Sequence, residues 1–250
     1  MRRLFRILFL AILGLGVGVI GYEAIMLGRV MFLRNSNPTS TSLINTRIRE
    51  AEAKGQQPKR EQVWVPLEKI SPNLQRAVLA GEDTNFVTHR GFDYEAIQKA
   101  YEQAQRETER EAKAEGENDD WLPSLPEFKR GASTISQQLA KNLYLSSQRS
   151  FLRKGQEAAL TIMLERTLTK RRILEIYLNV IEWGDGIYGA EAASQRYFRK
   201  PASALTASEA AYLSAMIPNP RTVFNPQVNP RRVARRQRII LRGMPYIKLP

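Results

Sequence analysis

The sequence predicts a mainly α-helical protein, a helical body carried behind an N-terminal transmembrane helix. Three observations lead there. The chain opens on a long apolar run. Several later segments begin with helix-capping signals followed by apolar residues at spacings of three and four. No stretch alternates strongly enough to give more than a β-hairpin.

The first element is "MRRLFRILFLAILGLGVGVIGYEAIMLGRVMFLR". From Ile7 to Tyr22 it carries no charge, and apolar character resumes from Ala24 to Leu33 after Glu23. About 20 apolar residues cross a bilayer as a helix, a length reached when Arg6 or Glu23 lies at an interface. No small-x-small cleavage site follows, so a retained single-pass anchor is expected over a removed signal peptide. Arg2, Arg3 and Arg6 favour a cytoplasmic N-terminus, which puts the body on the periplasmic or outer side of the inner (cytoplasmic) membrane. Residues 1–33 are thus read as tip and anchor, and the polar, proline-punctuated residues 34–62 as a juxtamembrane linker with a short helix. The body is residues 63–250.

Composition narrows the chemistry. The chain has 250 residues, no cysteine, one histidine and a formal net charge of +13. Disulfide and thiolate chemistry are absent, and a zinc site is not expected. The charge calls for a polyanionic partner: nucleic acid, anionic lipid or a phosphorylated substrate. An exported body removes nucleic acid from that choice.

Within the body, "SPNLQRAVLAGED" starts a helix, because Ser71 can cap it and Pro72 suits the first helical position. Leu74, Val78 and Leu79 mark its core face, and Glu82 follows them by four and three residues, so its carboxylate points the same way. Burial raises a carboxylate's pKa and makes it a useful proton acceptor near neutrality, although a half-exposed glutamate at the helix end fits the segment too. Residues 101–130 are rich in acids, with helical ion-pair spacing in their first half and two prolines near the end, and are read as a solvated acidic insertion.

"RGASTISQQLAKNLYL" comes next. Thr134 and Gln137 have capping-box spacing, and Gln137, Gln138 and Lys141 then share a face opposite Ile135 and Leu139. Free amides, the helix dipole and a lysine together favour an anion. A long amphipathic helix spans about Leu152–Val180 with a break near Thr169. Glu157 precedes Leu160 and Leu164 on one of its faces, with Arg153 one turn before it as an available ion-pair partner. Arg149 and Lys154 add charge nearby. Two inward-facing glutamates and a cationic cluster suggest proton transfer beside a phosphate leaving group, the general shape of two-carboxylate sugar chemistry. "TASEAAYLSAMI" opens with a second capping box, Thr206 to Glu209. After it no acid occurs, and Arg231, Arg232, Arg235, Arg236, Arg238 and Arg242 cluster, either against anionic lipid head groups or as a solvated basic face.

Taken in order, "EDTNFVTHRGFD", "GASTISQQLAKN", "RKGQE", "KRRILEIYLN" and "RQRIILRGM" resemble the five motifs of the peptidoglycan glycosyltransferases, glycosyltransferase family 51, over roughly Val63 to Met244. The resemblance implies a lysozyme-like helical domain that polymerises lipid II by β-1,4 transfer and releases undecaprenyl pyrophosphate. The chain ends soon after the fifth motif, so no transpeptidase domain is expected. By motif position, Glu82 would be the general base. Lys141, Arg149 and Arg153 would bind pyrophosphate, and Glu157 would hold a divalent ion such as Mg or orient the basic groups; no cofactor is obligatory. Asp83, Phe86, Ser133, Gln137, Gln138 and Lys154 match other cleft positions, and His89 is expected to shape the first motif's turn rather than act chemically. Partners implied are lipid II, the growing lipid-linked chain, anionic membrane lipids and other cell-wall synthases. The rival readings are a lytic glycosidase on the same scaffold and a non-enzymatic membrane-tethered scaffold.

Overall fold

A computed structural model describes residues 2–115, 133–146 and 150–250. The first helix, α1 (Arg2–Phe32), is long and apolar enough to cross a membrane. It stands clear of the body up to Tyr22, and only its last third joins it, through Met26, Val30 and the following Leu33. Then come α2 (Ser42–Ala53), strand β1 (Glu61–Gln62), α3 (Pro72–Glu82) and α4 (Tyr94–Glu115). The remainder runs α5 (Ile135–Tyr144), α6 (Phe151–Thr167), α7 (Lys170–Val180), β2 (Glu182–Gly184), β3 (Ile187–Tyr188), α8 (Ala190–Phe198), α9 (Ala207–Met216) and α10 (Pro230–Gly243).

Local chemistry places the helix ends. Ser71 accepts from the Asn73 N–H ahead of Pro72, and Thr134 and Thr206 each close a capping box, with Gln137 and Glu209. The helix expected over 152–180 is two helices, because the Thr169 side chain accepts from the Arg172 N–H and starts α7 afresh. The sheet exceeds the expected hairpin by one short strand: β3 pairs antiparallel with β2 and parallel with β1. Gly186 turns the hairpin at φ +76°, where a Cβ would lie 2.5 Å from Lys59 Cβ.

Two helix groups make the core. In one, α9 packs between α3 and α10; in the other, α5 packs on α6 and α7. From Ile173 to Val180 every residue of α7 except Glu175 is buried, among them Tyr177 and Asn179 at zero exposure. The short helix expected within residues 34–62 is α2, and it lies on α5, with Arg47 donating to Glu182 at 3.0 Å, instead of standing off from the body. Of the acidic insertion, residues 101–115 belong to α4, and residues 116–130 lie outside the described residues.

Candidate active site

Glu82 is the last residue of α3, one helical turn beyond the fully buried Val78 and Leu79. That spacing carries its carboxylate inward, to 9% side-chain exposure. One oxygen, Oε1, accepts from Arg236 Nη2 at 2.7 Å; the other, Oε2, accepts from Gln138 Nε2 at 2.9 Å. Gln138 is itself oriented, since its Oε1 accepts from the Tyr177 hydroxyl at 2.8 Å. Burial pushes the Glu82 carboxyl above its ordinary value, and Arg236, Gln138 and Lys141 only partly offset that push. A carboxylate offers about four lone-pair sites, so these two bonds leave it able to accept a proton.

The adjacent carboxylate has a different task. Asp83 turns into the protein, where its Oδ2 accepts from the Ile135 N–H at 2.8 Å and so sits at the N-terminus of α5. His89 Nε2 lies 2.9 Å from Asp83 Oδ1, while His89 Nδ1 accepts from the Gly91 N–H at 3.1 Å. With Nδ1 used as an acceptor, the ring donates through Nε2 to Asp83. Gly91 makes this loop possible: its φ is +98°, a Cβ there would lie 2.8 Å from Thr161 Cγ2, and its carbonyl accepts from the Thr134 hydroxyl at 2.7 Å. Phe86 is buried below Lys170, whose Nζ is 4.5 Å from the ring centre. Asp83, Phe86 and His89 therefore build the wall that holds Glu82 and the start of α5 together.

From that wall α5 projects into a cleft with two compartments. One, of about 600 Å³, is lined by Glu82, Arg236 and Tyr177; the other, of about 390 Å³, by Gln137, Arg153, Lys154 and Glu157. Ser133, Gln138 and Lys141 line both. Gln137 meets the second compartment with its oxygen already committed to the capping box, accepting from the Thr134 N–H at 3.0 Å. Lys141 sits at the junction. Burial lowers its pKa below the ordinary value, against the raising pull of Glu157, with Arg153 and Lys154 pushing the same way as burial.

Glu157 is almost fully buried, 3% exposed. Arg153 Nη1 donates to its Oε2 at 3.2 Å, and Lys154 Nζ donates to its Oε1. The ion pair that the sequence allowed is thus formed, and it faces the cleft. Around this single carboxylate stand Lys141, Arg153 and Lys154, a cluster with net positive charge. Both Glu157 oxygens are engaged by cations, and among the described residues no three His, Cys, Asp or Glu converge. Arg149 lies outside the described residues.

A family model described as Transglycosylase matches residues 48–116 and 122–245. The chain belongs to the transglycosylase family. Among curated relatives of this transglycosylase, the biosynthetic peptidoglycan transglycosylase of Chromobacterium violaceum is 44% identical over 245 residues, 98% of this chain and 99% of the relative. The protein of the same name from Thiobacillus denitrificans is 45% identical over 232 residues (93% and 92% of the two chains), and that from Dechloromonas aromatica 41% over 248 residues (99% and 98%).

Three cleft residues of this transglycosylase escaped the sequence reading. Arg236 was grouped with a lipid-facing or solvated basic cluster, yet the structure sets it on Glu82. The signal was present: Arg236 lies three residues after Val233 and four before Ile240, the two buried residues of α10, whereas Arg231, Arg232, Arg235, Arg238 and Arg242 are exposed. Tyr177 reads as core in sequence, and only its hydroxyl reaches the site. Arg47, on the segment read as linker, lines both compartments.

Proposed function

We propose that this transglycosylase polymerises lipid II into linear β-1,4-linked glycan strands, with Glu82 as the general base. The observation that carries the reading is a desolvated carboxylate, held by Arg236 and Gln138, in a compartment that shares Lys141 with the neighbouring compartment lined by Arg153 and Lys154. Relatives that span nearly the whole chain are named biosynthetic peptidoglycan transglycosylases, which supports the same class of substrate.

In this mechanism the 4-hydroxyl of the acceptor sugar gives its proton to Glu82. Its oxygen attacks the anomeric carbon of the lipid-linked chain from the face opposite the leaving group, so the configuration inverts. The carbon–oxygen bond to undecaprenyl pyrophosphate breaks, and the electron pair leaves with the phosphate. Charge develops on that oxygen, and fixed cations stabilise it without reorganising during the step. Lys141 stands between the base and the cationic compartment, the position from which it can meet both the reacting centre and the pyrophosphate. Glu157 holds Arg153 and Lys154 in place, and no step requires it to bind a metal. The α1 helix anchors the enzyme in the cytoplasmic membrane, with the cleft on the outer side.

The test is a lipid II polymerisation assay in detergent. Wild type yields glycan strands, Glu82→Gln yields none, and Lys141→Met loses polymerisation with Glu82 intact. Equal activity of wild type and Glu82→Gln refutes the assignment of the base. Glycan cleavage that survives Lys141→Met would mark the protein as a hydrolase, since a neutral sugar link has no pyrophosphate to hold.

A further inference from the structure

The outer face of α10 carries a row of arginines. Arg231, Arg235, Arg238 and Arg242 recur at spacings of four, three and four, which at 3.6 residues per turn keeps them on one narrow strip of the helix. All four are exposed, and the row is roughly 16 Å long at 1.5 Å per residue. Val233 and Ile240, on the opposite face, are buried, and Arg236 turns towards Glu82.

Among the described residues no acid neutralises this row: the ion pair that α10 makes there is Arg236 with Glu82. Arg232, beside the row, lies over the Phe224 ring at 5.9 Å instead of on a carboxylate. No Asp or Glu follows Glu209 in the chain, and α10 holds six arginines, no lysine and no acid. Like charges one turn apart weaken a helix, so the row costs stability until an anion meets it.

The surroundings narrow the anion. A helix that binds a bilayer buries an apolar face in it, with basic groups alongside. α10 turns Val233 and Ile240 into the protein core, and of its large apolar side chains only Ile239 is exposed, so the row meets its partner in water. Guanidinium forks match carboxylates through paired, parallel hydrogen bonds. A single exposed arginine–carboxylate contact is worth little, so a row of four selects a ligand that presents several carboxylates at once. The row lies across the helix from the catalytic base, about one helix diameter, roughly 10 Å, away. A polymer made at Glu82 is the nearest source of repeated carboxylates, because each disaccharide brings a carboxylate-bearing peptide from lipid II.

We propose that the outer face of α10 is a product-holding surface, its four arginines binding the peptide carboxylates of the nascent glycan strand. The identity of the polymer rests on the reaction proposed above. One lipid II, with one peptide, engages the row weakly; a strand with a peptide on every repeat engages it at several points. The surface thus tells product from substrate by the number of charges, and it holds the strand without occupying the cleft.

The test is fluorescence anisotropy with labelled, uncrosslinked glycan strands prepared independently of this protein. Full-length wild type in detergent is compared with a variant carrying Arg231→Gln, Arg235→Gln, Arg238→Gln and Arg242→Gln together. Wild type is expected to bind peptide-bearing strands about tenfold or more tightly than the variant, an advantage that vanishes in high salt. Both proteins bind a single disaccharide–peptide alike and polymerise lipid II at the same initial rate. Strands stripped of their peptides by an amidase show no difference between the two. Equal affinity of the two proteins for peptide-bearing strands overturns the inference, and so does a difference that persists on stripped strands. A difference seen with phosphatidylglycerol vesicles and not with strands overturns it too, and marks the row as a lipid surface. If wild type binds strands, the variant does not, and neither polymerises lipid II, the proposed reaction falls while the surface stands.

Discussion

Replacing Arg236 with methionine removes the cation beside Glu82 while keeping a stem of similar length to pack against Phe224, over which the guanidinium lies at 5.6 Å. Arg236 donates one bond to the Glu82 carboxylate and one to the Gly81 carbonyl, both at 2.7 Å. A hydrogen bond between charged groups is worth about 1.5–3 kcal/mol. The Arg236 side chain is 27% exposed, so solvent screening argues for the lower end, about 1.4 kcal/mol, a factor of roughly ten. The sign follows from the role. Arg236 favours the ionised carboxylate, burial opposes it, and the base must be ionised to work. Without Arg236 the acid limb of the kcat/KM–pH profile moves to higher pH. On that limb activity falls about tenfold, and the alkaline plateau is retained. The assay is initial-rate lipid II polymerisation across pH, with circular dichroism to verify folding. A limb that stays in place while activity drops equally at every pH would refute the reasoning, because Arg236 would then be acting on the substrate and not through Glu82.

Other perturbations follow from the same geometry. Glu82 has a native pKa raised above its ordinary 4.5, so the folded state holds the proton more tightly than the unfolded state does. Its contribution is most favourable below the unfolded value and is lost as pH rises through the native one. Glu82→Gln is accordingly expected to raise Tm at pH 8, by an increment that vanishes towards pH 4; a lower Tm at pH 8 would contradict this. Asp83→Ala leaves the Ile135 amide and His89 Nε2 without their acceptor, at a cost of about 3 kcal/mol, and should lower Tm by roughly 6–12 °C in a thermal melt. Gly91→Ala forces a Cβ to within 2.8 Å of Thr161 at positive φ. It is expected to destabilise by about 1–3 kcal/mol in urea titration, and an unchanged midpoint would show that the loop relaxes freely.

Local chemistry was legible where it sufficed to decide the outcome. Ser71 and Pro72, the two capping boxes and the break at Thr169 each rest on neighbours within four residues, and each helix begins where its cap stands. The inward direction of Glu82 and Glu157 followed from helical phase alone. What makes the glutamates a site does not lie within any window of sequence. Arg236 is 154 residues from Glu82, Gln138 is 56 away, and Arg47 meets Glu182 across 135. Such pairings are fixed by how α10 and α5 cross α3, and by α2 folding back onto α5. Phe86 and Asp83 show the complementary limit. Both belong to the motif next to Glu82, yet one lies under Lys170 in the core and the other holds the start of α5.

The bond from Asp83 to the first amide of α5 also sets what can move. Glu82 and Asp83 are joined by one peptide bond, and Lys141 is less than two turns into the helix that Asp83 secures. Base and central cation are consequently parts of one rigid piece, with the buried face of α5 and the packed end of α3 behind them. Their separation is therefore set by the packing of α3 and α5 before any substrate enters. In the proposed reaction, every disaccharide added from lipid II would be joined across that same distance.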